Sequence, residues 1–105
     1  MTSHRKFYRN VSGRKAFNFN LRGADITVRS AIVVTAAPCA LQSSGFLDPD
    51  IRLNVHGPDV RVSNVVPHGP EPDVGGVEFV LTADAPTDVA VTITVLDKWE
   101  GFTGP

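Results

Sequence analysis

Val77-Glu78-Phe79-Val80-Leu81-Thr82 and Val89-Ala90-Val91-Thr92-Ile93-Thr94-Val95-Leu96, separated by Ala83-Asp84-Ala85-Pro86-Thr87-Asp88, form the stretch on which the fold of this 105-residue chain turns. In both runs an apolar side chain recurs at every second position, the period of a strand with one face buried. The intervening hexapeptide holds two aspartates and a proline, residues that favour turns. The pair therefore predicts an antiparallel hairpin.

The same reading extends outwards. Phe17, Phe19 and Leu21 alternate with Asn18 and Asn20, which predicts a strand over Arg14–Leu21. Gly23-Ala24-Asp25 reads as a turn. Ile26–Thr35 is the next expected strand, ended by Pro38, which has no N–H for a ladder. A single helical turn is expected over Pro38–Ser44 and a turn at Asp48-Pro49-Asp50. Ile51, Leu53 and Val55 alternate as a strand. Val60, Val62 and Val65 follow as another, closed by Pro67, and Pro67–Gly76 reads as a surface loop. Val is far commoner than Leu, and β-branched side chains suit a pleated surface. About seven strands with turn signals every ~8–12 residues predict an all-β fold, an antiparallel β-sandwich of immunoglobulin-like or jelly-roll-like type.

Charge is divided along the chain. Residues 1–30 carry seven basic residues against the single acid Asp25, a net +6. Residues 31–105 carry Arg52, Arg61 and Lys98 against ten acids, a net −7, so the total of −1 conceals two opposed halves. The expected organisation is a basic N-terminal arm over residues 1–24, with one strand in it, and a β-sandwich domain over residues 25–105. An arm outside the core predicts that the body folds without residues 1–13. Such asymmetry bears on partners rather than on fold. The candidate partner-binding residues are Arg5, Lys6, Phe7, Tyr8, Arg9, Arg14 and Lys15, where cations alternate with aromatics. That pattern suits an acidic protein surface, with aromatic anchors and an arginine rim. It also suits nucleic acid, through phosphates and base stacking. The acidic body repels phosphate and favours the protein partner, either subunits of an assembly or copies of this chain. An arm folded back on its own body is the third reading.

The remaining motifs point away from chemistry. His56-Gly57-Pro58 and His68-Gly69-Pro70 echo each other, each followed by an acid. Zinc would need a third converging ligand, and Gly-Pro is ordinary turn chemistry, so no metal is expected. The aspartates at 48, 50, 59, 73, 84 and 88 match no calcium loop and read as turn residues. The lone Cys39 has no neighbouring base and reads as a small buried apolar residue. No nucleophile motif or phosphate-binding glycine loop is present, so neither enzyme activity nor a cofactor is expected. No stretch reaches the length of a membrane span, and Phe7–Gly13 is too short and polar for a signal-peptide core. Trp99 and Phe102 are expected to plug the core.

The run Val77–Leu96 resembles the terminal hairpin of immunoglobulin-like and Calx-β-like sandwich modules, a likeness covering about a fifth of the chain. Such modules occur in bacterial surface proteins and on tailed-bacteriophage virions. The calcium ligands of that family have no counterpart here, and the immunoglobulin Cys…Trp…Cys signature is absent. The resemblance implies a non-enzymatic virion protein that decorates or cements a capsid or tail, made in the host cytoplasm and present in many copies. A surface-adhesion or carbohydrate-binding module is the alternative.

Overall fold

The computed structural model describes residues 1–41, 50–69 and 74–105. Four strands make one antiparallel sheet: β1 Thr2–Asn20, β2 Ser30–Cys39, β3 Val60–His68 and β4 Gly76–Lys98. The all-β antiparallel class agrees with the sequence. The expected count of seven strands does not, because β1 and β4 are each long enough to replace two.

β4 is the spine. β1 pairs along one of its edges from end to end; β2 and β3 share the other, β3 against Gly76–Ala83 and β2 against Asp88–Lys98. The expected hairpin is therefore absent, and its two runs are consecutive halves of one bent strand. Residues 84–87 have no partner in β2 or β3. On the β1 side, the three residues 84–86 oppose only Ser12. Pro86 thus sits where no ladder bond is required of it, so turn-forming residues produce a bend instead of a reversal. β1 bends at the same place, between Tyr8 and Gly13. Asn10 (φ 51°) and Gly13 (φ 65°) adopt the left-handed backbone there, a conformation that Asn tolerates and Gly takes without cost.

The bend folds the sheet onto itself. His4 and Phe19 are fifteen residues apart, about 50 Å along a straight strand, yet their rings stack at 5.2 Å. Tyr8 and Phe17 meet at 4.5 Å. Inward side chains from both halves of β4 accordingly share one core: Val77, Phe79, Leu81 and Ala83 with Val89, Val91 and Ile93, joined by Val11 of β1. Phe79 is 1% exposed, and Leu81 and Ile93 are fully covered. Burying each such side chain stabilises the fold by about 1.5–3 kcal/mol. Val11 belongs to this core and residues 2–8 pair with Val89–Val95, so the segment read as an arm is built into the sheet.

Other departures have local causes. Residues 22–29 form turns rather than the start of a strand: Ser30 N–H donates to the Thr27 carbonyl, and the Ser30 hydroxyl oxygen accepts from Thr27 N–H. Pro38 lies inside β2 because its carbonyl faces away from β4 and accepts from Asn54 N–H at 2.7 Å. Its nitrogen faces the same outer side, where no ladder donor is needed. The strand expected at Ile51–Val55 shrinks to a single bridge, Leu53 to Cys39. The Asn54 side chain and carbonyl accept from the His56 and Gly57 N–H groups, closing a turn in place of a ladder. β3 runs through Pro67 to His68 and carries a bulge at Asn64 (φ 53°), which explains the three-residue step from Val62 to Val65. The helical turn expected at Pro38–Ser44 begins on residues of β2, Leu41 N–H is taken up by Asp88, and residues 42–44 lie outside the described residues. Most of the Asp48-Pro49-Asp50 turn and the middle of the Pro67–Gly76 loop lie outside them too.

Candidate functional site: the basic edge strand

All seven candidate docking residues fall on β1, the outermost strand on its side of the sheet. Among the described residues nothing pairs with the outer edge of β1, and between Thr2 and Asn20 there is no acid. The bend divides the cations into two groups. Arg5 and Lys6 lie on the half paired with Val89–Val95, and Arg14 and Lys15 on the half paired with Gly76–Ala83. Arg9 lies at the joint between them.

Register assigns each side chain to a face. Lys6 and Tyr8 stand opposite the buried Val91 and Val89, and so share the inward face. Arg5 and Phe7 stand opposite Thr92 and Ala90 on the outward face. Each face thus carries one cation followed by one aromatic. Arg5 Nε donates to Thr92 Oγ1 at 3.0 Å, which splays the guanidinium along the sheet. The Lys6 ammonium lies 5.7 Å from the centre of the Tyr8 ring, a cation–π placement that leaves the amine in water. Tyr8 packs edge-on to Phe79, and burial pushes its phenol pKa up. Phe7 is half-buried and Arg5 and Lys6 are exposed. Neither Arg14 nor Lys15 makes an ion pair with a described residue. The structure thus brings Lys6 together with Tyr8, and Tyr8 with Phe17, while the two cation groups stay on separate halves of β1.

The joint is held by one carboxylate. Asp88 Oδ1 accepts from Asn10 N–H at 3.0 Å, and Oδ2 from Leu41 N–H at 3.2 Å. One side chain of β4 therefore ties the bulge in β1 to the segment leaving β2.

A second surface was not foreseen. Trp99 and Phe102 do not plug the core: they are 38% and 85% exposed, and meet edge to face at 5.8 Å. The Arg29 guanidinium covers the Trp99 ring at 4.5 Å, and Trp99 N–H donates to the Arg29 carbonyl. The glycines on either side of Phe102 were the available signal, since Gly101 and Gly104 disfavour a packed strand there.

The other motifs have structural roles. His68 Nε2 lies 2.6 Å from Asn18 Oδ1, reaching diagonally across β4 from the level of Gly76 to that of Glu78. Among the described residues no group of three or more His, Cys, Asp or Glu is placed to hold a metal ion. Cys39 is buried, and burial, then the nearby Asp88 carboxylate, raise its thiol pKa, the reverse of what a nucleophile needs. Among the described residues no helix is long and apolar enough to cross a membrane. A depression of about 300 Å³ between Thr2, Asp25, Ser30 and Lys98 holds the Lys98–Asp25 ion pair.

No protein-family model, curated protein or solved structure matches the chain.

Proposed function

We propose that this chain is a non-enzymatic structural protein that joins a larger protein assembly through the basic edge of β1. The observation that carries the reading is the combination of a long strand paired, among the described residues, on one side only with five Arg and Lys residues and no acid along it. Cations along an edge discourage pairing between copies of that edge, and the same cations attract an acidic partner. Weak contacts of this kind become a stable coat when repeated over a lattice. The resemblance of Val77–Leu96 to virion-borne sandwich modules makes a tailed-phage capsid or tail the setting, with the chain made in the host cytoplasm and carried in the virion.

Truncation is the wrong test, because removing residues 1–13 would strip Val11 from the core and leave Val89–Val95 of β4 paired on the β2 side alone. Charge reversal leaves the backbone intact. With Arg5, Lys6, Arg14 and Lys15 changed to Glu, the chain should keep its β-type circular dichroism but stay in the supernatant when particles from the source are sedimented and examined by mass spectrometry. The unaltered chain should sediment with them. Normal occupancy of the reversed chain would sink the reading.

The exposed Trp99–Phe102 pair favours one alternative, a carbohydrate-binding or adhesion module. Binding on a glycan array that disappears with Trp99→Ala would support it. Binding to single- or double-stranded DNA, falling steeply with salt, would instead mark a nucleic-acid partner.

A further inference from the structure

We infer that the half-strand Thr2–Tyr8 accepts an extended acidic segment of a partner protein as an added β-strand, recognising two adjacent acids next to two adjacent apolar residues. This rests on the reading of β1 as the docking strand and specifies how that strand docks.

The backbone makes the offer. Thr2–Tyr8 pairs with Val89–Val95 through seven consecutive positions without a bulge. A regular strand of that length spans roughly 23 Å and presents unpaired N–H and C=O groups along its free side. The opportunity ends at the bend, because the left-handed residues Asn10 and Gly13 turn the edge away from any straight partner. The other half of β1, Gly13–Asn20, has its own adjacent cations Arg14 and Lys15, but its aromatics Phe17 and Phe19 both stand opposite buried residues, Phe79 and Val77, on the inward face, so it lacks an aromatic on each face.

The side chains set the code. Neighbouring strands place directly opposed side chains on the same face. Arg5 on the outward face and Lys6 on the inward face each call for an acid in the incoming strand. Phe7 and Tyr8, one on each face, each call for an apolar residue. The preferred segment therefore has its two acids side by side and its two apolar residues beside those. A second copy of β1 is the wrong occupant, since pairing this half-strand with itself sets cations against cations.

The test uses the full-length chain, isotope-labelled, and synthetic capped peptides of about seven residues, the length of the paired edge. The first peptide reads Val-Ile-Glu-Glu-Thr-Thr-Thr, so that antiparallel addition sets its glutamates opposite Lys6 and Arg5 and its Val and Ile opposite Tyr8 and Phe7. The second keeps both glutamates, and so the same charge, but carries proline on either side of them, so it cannot complete a ladder. The first peptide should slow amide exchange at alternate residues of Thr2–Tyr8 and bind about tenfold or more tightly than the second, the loss expected when backbone pairing is removed. Arg5→Glu with Lys6→Glu should weaken the first peptide by about tenfold, from two cross-strand charge pairs. Equal binding of the two peptides, with no protected amides, overturns strand addition while leaving charge-driven docking intact. A single-stranded oligonucleotide that displaces the first peptide and binds more tightly overturns both. The two peptides on the unaltered chain keep the test decisive should the double variant fail to fold.

Discussion

Replacing Asp88 by Ala should loosen the joint where β1 and β4 bend together, and the structure fixes the size of the effect. Asp88 supplies both acceptors for Asn10 N–H and Leu41 N–H. A hydrogen bond to a charged group contributes about 1.5–3 kcal/mol where water is excluded and less where water can replace it. Asn10 is exposed, so its bond is worth about 0.5 kcal/mol by that standard; Leu41 is half-buried, so about 1.5 kcal/mol is appropriate. The sum, about 2 kcal/mol, lowers the melting temperature of a domain this size by about 8–16 °C. Asp88→Asn keeps one acceptor oxygen and should fall by about half as much. Thermal melts followed by circular dichroism measure the loss, and amide exchange locates it. Asn10 and Leu41 should exchange faster while Val91, in mid-ladder, keeps its protection. A melting temperature within about 2 °C of the parent, or unchanged exchange at both amides, would refute the view that this carboxylate holds the bend.

Three further outcomes are expected. Phe79→Ala, which empties the centre of the Tyr8–Phe17–Phe79 ring cluster, should cost about 3–5 kcal/mol in urea unfolding. Gly76→Ala places a Cβ 2.5 Å from the Phe19 carbonyl oxygen and 2.7 Å from Asn20 Oδ1, and should cost about 1–3 kcal/mol, read as a lower urea midpoint at unchanged slope. The raised thiol pKa of Cys39 means that the unfolded chain ionises first as pH climbs. Stability should therefore fall as pH rises from the ordinary thiol range through the folded value, and Cys39→Ala should flatten that part of the profile.

The inward face of β4 was legible because each of its halves obeys a strict period of two: Val77, Phe79 and Leu81, then Val89, Val91, Ile93 and Val95 are all buried. What joins the halves was not. Asp84, Pro86 and Asp88 have the composition of a turn, and composition does not say whether flanking strands will take up the ladder on both sides. Here β1 does so on one side, while β2 and β3 stop short on the other. Pro38 misled for a related reason, since a proline ends a strand only where its nitrogen faces a partner. The candidate site was legible as charge but not as backbone. Clustered Arg and Lys read equally as a free arm or as the edge of a sheet. Only the meeting of Tyr8 and Val11 with the core distinguishes the two, through contacts with residues some seventy to eighty positions away.

That sequence distance governs how the chain can be made. β1 and the part of β4 it pairs with lie far apart in sequence, with Thr2 opposite Val95. At a synthesis rate of about 5–20 residues per second, the first strand waits several seconds for its mate. Throughout that time Phe17, Phe19 and Tyr8 lack the surface that will cover them. The ladder of β1 therefore closes only after β4 has been made, and slowly, as contacts of long sequence separation require. Until β4 is made, the five cations on β1 oppose association of its exposed aromatics with other chains.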